Sequence, residues 1–293
     1  MALFFQQLVD GLASGSIYAF LALALVLIYR STGVLNFAQG EMAMLATYAA
    51  WSLTGAGFPV FAAIAIAMLL AFGGGVTIER LLIRRVEQAS VLAVVIVTLG
   101  LFVAINAIAG FHWGYTEKSM PSAFPTDLIK ISKVTLDTES FGVLATLLVV
   151  VALLYGLFQF TKVGLAMRAS ASNPESSRLV GIRVERMLML GWGLSAGLGA
   201  LAGAMVAPKL FLDPNMMQGV LLYAFAAAAL GGFDSPVGAV VGGLIVGVTE
   251  NMAGTYVHFI RADLKLLVAL VLIFVVLLVR PSGLFGKPTV VRV

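Results

Sequence analysis

Long uncharged apolar runs separated by short polar breaks dominate the chain. Residues 91–110, 187–207 and 214–233 contain no Asp, Glu, Lys or Arg. A helix needs about 20 apolar residues to cross the hydrocarbon core of a bilayer. Runs of this kind are placed at about 8–29, 37–53, 58–78, 91–110, 141–160, 187–207, 216–230, 237–257 and 264–279. The pattern predicts an all-α polytopic membrane protein, a glycine-rich bundle of eight or nine transmembrane helices. The eight-helix version makes 216–230 re-entrant, because short glycine-interrupted spans are where broken helices occur.

Several runs carry small residues at four-residue spacing. Gly11 with Gly15, Gly193 with Gly197, and Gly199 with Gly203 let a second helix approach closely. The run at 237–257 is similar, with Gly238, Gly242, Gly243 and Gly247. The run at 264–279 reads instead as a lipid-facing helix bracketed by Lys265 and Arg280.

The polar breaks differ in length. Residues 30–37 form a short turn at Gly33, and ERLLIRRVE follows the third run. Residues 111–140 are too long for a plain connection, and KISKVTLDTESF within them is patterned as a hairpin. Residues 161–186, TKVGLAMRASASNPESSRLVGIRVER, are rich in positive charge. With nine crossings and 161–186 in the cytoplasm, twelve Lys and Arg fall inside and six outside. That bias predicts an outside N-terminus and a cytoplasmic C-terminus. The chain then reads as one transmembrane domain, 1–293, with an extracytoplasmic segment at 111–140 and a cytoplasmic loop at 161–186. The N-terminal residues lack a basic n-region and a cleavage site, so the first run is expected to stay.

Composition agrees. The 293 residues are 61% hydrophobic and 11% charged, with a mean hydropathy of +1.05; a soluble domain carries about 25% charged residues. The pI near 9.4 follows from basic cytoplasmic segments and does not point to nucleic acid. There is no cysteine, which excludes disulfides, thiolate metal sites and a cysteine nucleophile. His112 and His258 are isolated, no HExxH occurs, and the string GLFGKP places Pro288 where a phosphate-binding loop needs Ser or Thr. The chain is therefore expected to be no enzyme, with no catalytic residue, no metal and no cofactor of its own.

Ionisable residues inside the membrane are functional candidates, because burying charge in hydrocarbon is costly. Glu41 and Glu250 qualify. Each also has a structural reading: Glu41 as a helix-start acid favoured by the dipole, Glu250 as a hydrogen-bonded link between helices. By polarity and depth the candidate pore-lining set is Gln39, Glu41, Thr98, Asn106, Tyr223, Glu250 and Asn251.

In the basic loop, GLAMRASA is patterned to continue a helix out of the membrane. Asn173 then caps a new helix with Pro174 at its first position and Glu175 in its first turn. Gly181 ends it, giving a helix from about 174 to 180. Leu179, Val180 and Ile182 beside Arg178 and Arg183 form an apolar ridge edged by charge. It suits a soluble partner or, alternatively, the membrane surface.

The pattern Glu175-Ser176-Ser177-x-x-x-Gly181 resembles the E-A-A-x-x-x-G loop of bacterial ABC-importer permeases, with Ser for both Ala. GLAMRASASNPESSRLVGI, STGVLNFAQGEMAMLATY and LGGFDSPVGAVVGGLIVGVTE resemble more narrowly the LivH-type permeases of branched-chain amino acid importers. The resemblance implies a bacterial inner-membrane permease working by alternating access. It implies coupling to the ATPase through Asn173, Glu175, Ser176, Ser177, Arg178, Leu179, Gly181 and Ile182. The implied partners are a second permease subunit, two cytoplasmic ATPases holding ATP-Mg, and a soluble substrate-binding protein. The implied substrates are branched-chain or other small amino acids, with urea and short amides as related possibilities. A stand-alone secondary transporter or channel is the alternative reading of the residues.

Overall fold

The computed structural model describes residues 2–86, 90–131, 134–257 and 264–286. It is a helical bundle: α1 (Ala2–Thr32), α2 (Gln39–Gly55), α3 (Val60–Val86), α4 (Val91–Trp113), α5 (Thr138–Phe160), α6 (Lys162–Ser172), α7 (Pro174–Leu179), α8 (Val184–Leu210), α9 (Met216–Gly231), α10 (Pro236–Tyr256) and α11 (Lys265–Val279). A two-stranded hairpin, β1 (Leu128–Ile131) and β2 (Val134–Asp137), precedes α5, with Leu128 opposite Asp137. Among the described residues, six helices are long and apolar enough to cross a membrane: α1, α3, α4, α5, α8 and α10. The predicted runs at 37–53, 216–230 and 264–279 become the shorter helices α2, α9 and α11. His258 lies outside the described residues.

The bundle has an inside and an outside. The apolar windows of α1 and α8 are each 83% buried, against 22% in α3, 17% in α4 and 11% in α5. The glycine spacing explains how α1 reaches the centre. A Cβ on Gly15 would lie 2.7 Å from the Gly243 carbonyl oxygen, and one on Gly11 would lie 2.7 Å from the Val248 Cα. The backbones of α1 and α10 touch along this seam. Close backbone packing is what holds helices together where lipid offers no hydrophobic contrast. On α8, Trp192 is buried against Gly75 of α3 and Gly203 packs on Ala43 and Thr47 of α2.

Two expectations are corrected. The helix predicted to run out of the membrane through 164–171 breaks at Thr161. Its Oγ1 donates to the Leu157 carbonyl at 2.6 Å and accepts from the Gly164 N–H at 3.0 Å, so it closes α5 and caps α6 together. Gly164 then lets α6 fold back on α5. The hairpin is displaced towards the N-terminus, because Asp137 caps α5 by accepting from the Glu139 N–H at 3.1 Å. Residues 138–140 are thus helix.

α2 and α9 both begin inside the bundle. Gln39, at the start of α2, donates to the Ser195 carbonyl at 3.0 Å. Ser195 lies eleven residues into α8, about 17 Å from its start at 1.5 Å per residue. The start of α9 is fixed by Asn106, which donates to the Pro214 carbonyl at 2.9 Å. Asn106 lies seven residues from the end of α4, about 10 Å deep. From there the two helices run to opposite faces. α2 reaches the hairpin side, where Trp51 Nε1 donates to the Ser119 carbonyl at 3.1 Å. α9 ends beside α1's final turns, with Phe233 5.2 Å from Tyr29. Their N-terminal turns meet, Gly40 lying against Leu221 and the Met217 carbonyl.

Candidate translocation site and coupling helix

The polar residues at membrane depth gather into three groups. The first is a closed knot. Gln39 and Asn36 are fully buried. Asn36 Nδ2 donates to Gln39 Oε1 at 3.1 Å, and Ser195 Oγ donates to the Ala24 carbonyl at 2.7 Å. These bonds tie α1, α2 and α8 together, and all face protein.

The second group lies where α2, α4 and α9 meet. Glu41 is 1% exposed, in the first turn of α2. Asn106 Nδ2 points at Glu41 Oε2 at 3.3 Å and at Asn215 Oδ1 at 3.2 Å. Gln218 donates to Asn215 Oδ1 at 2.9 Å. No Lys or Arg lies within 4.0 Å of Glu41 among the described residues. The groups around it are neutral carboxamides, and they stand at an open surface. Asn215, Gln218, Gly219 and Leu222 are exposed, and their spacing of three, four and seven puts them on one stripe of α9. The sequence singled out Glu41 and Asn106, and the fold brings them together. Asn215 and Gln218 were missed; their signal is two carboxamides three apart at a helix start inside an uncharged run.

The third group lies in the α1–α10 seam. Tyr18 donates to Glu250 Oε2 at 2.7 Å and stacks on Tyr223, with ring centroids 4.7 Å apart. Tyr18 was missed as well, although a tyrosine heading the run YAFLALALV demands a partner for its hydroxyl. Among the described residues, Asn251 makes only long contacts, 3.3 Å to the Gly247 carbonyl and 3.5 Å to Ser14. Thr98 is fully buried and spends its hydroxyl on the Val95 carbonyl of its own helix.

α7 follows its capping signals closely. Asn173 Oδ1 accepts from the Ser176 N–H at 2.9 Å, Pro174 is the first residue, and Gly181 has φ +85°. The Ile182 N–H donates to the Ser177 carbonyl at 3.0 Å, which closes the C-terminus. Ser177 is buried while Ser176 is exposed, so only one of the two serines requires a small side chain. Leu179 is 88% and Val180 76% exposed, while Ile182 is half-buried. Arg178 pairs with Glu185 at 3.1 Å, fixing the helix to the start of α8. Among the described residues no group of three His, Asp or Glu could hold a metal.

Comparison with known proteins covers nearly the whole chain. The family described as "Branched-chain amino acid transport system / permease component" matches residues 7–277. The high-affinity branched-chain amino acid transport system permease protein LivH of Salmonella typhimurium is 29% identical, over 99% of this chain and 98% of its own. The corresponding BraD protein of Pseudomonas aeruginosa is 29% identical with the same coverage. A probable branched-chain amino acid transport permease protein LivH of Methanocaldococcus jannaschii is 30% identical over 91% of this chain and 87% of its own.

Proposed function

The chain belongs to the family of branched-chain amino acid transport system permease components, and from that premise we propose that it is the membrane-spanning permease subunit of an ABC importer for branched-chain or other small amino acids. It sits in the bacterial inner membrane, with residues 111–140 outside and 161–186 in the cytoplasm, as the Lys and Arg distribution favours. Separate ATPase subunits hold ATP-Mg, and a second permease and a soluble binding protein complete the machine. The whole chain serves as one transmembrane domain.

The observation that carries a transport role is the stripe on α9. A face of Asn215, Gln218, Gly219 and Leu222 left open at membrane depth has no use towards lipid, where unpaired polar groups are costly. It suits weak contacts with a passing zwitterion. Glu41, Asn106 and Tyr223 stand behind or beside it, whereas Gln39 and Thr98 brace the wall. The two interior helix starts fit the broken-helix construction of transporters, in which substrates bind at such discontinuities. Alternating access then amounts to moving α2 against α9, with their junction at Glu41 as the part that changes.

α7 is the coupling element of this reading. It offers Leu179 and Val180 to the ATPase, and its own frame is too short to hold that face without Asn173 and Gly181. Reconstituted complex with its binding protein should take up labelled leucine or valine only with ATP. Gly181→Trp removes the left-handed turn that only glycine adopts readily, and should abolish uptake while the complex still assembles. Gradient-driven uptake by this chain alone would favour the stand-alone transporter instead.

A further inference from the structure

The face of the bundle that carries α6 and α7 holds a groove of about 560 Å³ between the last turns of α3 and the start of α8. Its polar end is lined by Arg80, Arg84 and Arg186, and its wall by Phe72, Val76 and Leu190. The arginines are not equivalent. α3 passes through a π-helical turn at Glu79–Ile83, whose wider spiral stacks residues five apart. Glu79, fully buried, thereby meets Arg84: Nη2 lies 2.9 Å from Oε2 and Nε 3.2 Å from Oε1. Arg84 also donates to the Glu185 carbonyl at 3.3 Å. It is fixed and neutralised. Arg80 and Arg186 are exposed, and neither has a carboxylate within 4.0 Å among the described residues. The Glu185 carboxylate is already taken by Arg178. The groove thus keeps two guanidinium charges without a counter-ion.

We propose that this groove seats an anionic phospholipid, its phosphodiester on Arg80 and Arg186 and one acyl chain along Phe72, Val76 and Leu190. A scatter of basic residues at a membrane edge needs no such wall. Here the free guanidinium groups end a groove whose apolar side belongs to two transmembrane helices, so the two halves match the two halves of a lipid. Guanidinium binds phosphate through paired N–H donors, and basic pockets between transmembrane helices suit anionic head groups. A zwitterionic lipid brings no net negative charge and would set its own headgroup cation beside the two guanidinium groups. The bound lipid bridges α3 and α8, next to the pair that anchors α7.

The test uses the purified complex in detergent doped with phosphatidylglycerol or with phosphatidylcholine. Native mass spectrometry should find phosphatidylglycerol retained, and the unfolding midpoint should rise with that lipid and not with phosphatidylcholine. R80Q/R186Q should lose both the retained lipid and the rise. Arg186→Gln alone should weaken both, which keeps the test open if the double variant assembles poorly. Arg85→Gln, at an exposed arginine outside the groove, should change neither. Equal rises with the two lipids, or a double variant that keeps its lipid, would overturn the proposal. So would a double variant that sheds the ATPase while retaining lipid, since the groove would then be a protein contact.

Discussion

Glu41 and Glu250 are both carboxylates buried midway along the bundle, and they are held in opposite ways. Glu250 sits in the seam between α1 and α10. Its donor, Tyr18, is itself pinned by stacking on Tyr223, and the seam is made of glycine backbones in contact. Nothing there can move without separating two helices. Glu41 sits where three helices meet and carboxamide side chains make most of the links. Its donor, Asn106, belongs to a chain of carboxamides with Asn215 and Gln218 at the edge of an open stripe, and two of the helices start at this point. The contrast separates a strut from a latch. A buried carboxyl in a rigid seam links helices, while under the proposed function one capped by amides at a helix junction trades partners as the junction opens.

Breaking the seam should have the largest effect. A Cβ on Gly247 would stand within van der Waals overlap of the Gly15 backbone, and overpacking costs about 1–3 kcal/mol even where side chains can yield. Gly247→Leu should leave almost no folded complex, read as the monodisperse peak in size-exclusion chromatography of solubilised membranes. Glu41→Ala comes next: assembly should be normal and ATP-driven uptake should fall at least about tenfold, equivalent to ~1.4 kcal/mol. Glu250→Gln should be mild. The amide oxygen still accepts from Tyr18, so uptake should stay near wild type. Tyr18→Phe in turn leaves Glu250 short of a donor and should cost about 1–3 kcal/mol of stability, seen as a lower unfolding midpoint with transport retained. A strong transport defect in Glu250→Gln would erase the distinction between strut and latch.

How much of this could be read in advance follows the range of each interaction. The caps of α7 are local, set by Asn173, Pro174 and Gly181 within nine residues of sequence, and the sequence places that helix to within one residue. Long spans such as α4 and α8 are legible because hydropathy alone defines them. GxxxG at Gly11 announced a close partner but could not say which; α10 lies more than 200 residues away. Glu41 and Asn106 were each marked by polarity, yet their meeting with Asn215 and Gln218 depends on where two short helices begin, which no local pattern encodes. The break at Thr161 was missed because helix lies on both sides of it, Thr138–Phe160 before and Lys162–Ser172 after. Its hydroxyl decides the break, through bonds to residues before and after it.

The central claim is that the exposed stripe of α9 lines the substrate path. The chain contains no cysteine, so single cysteines can be placed without background from this chain and probed with a membrane-impermeant thiol reagent during uptake. Gln218→Cys and Gly219→Cys should be modified, modification should stop uptake, and saturating substrate should slow it. Leu153→Cys, on the outward face of α5 where Leu153 is 67% exposed, should remain unmodified in the membrane and transport normally. A Gly219→Cys that stays as inert as Leu153→Cys, or that is modified without loss of uptake, would contradict the account.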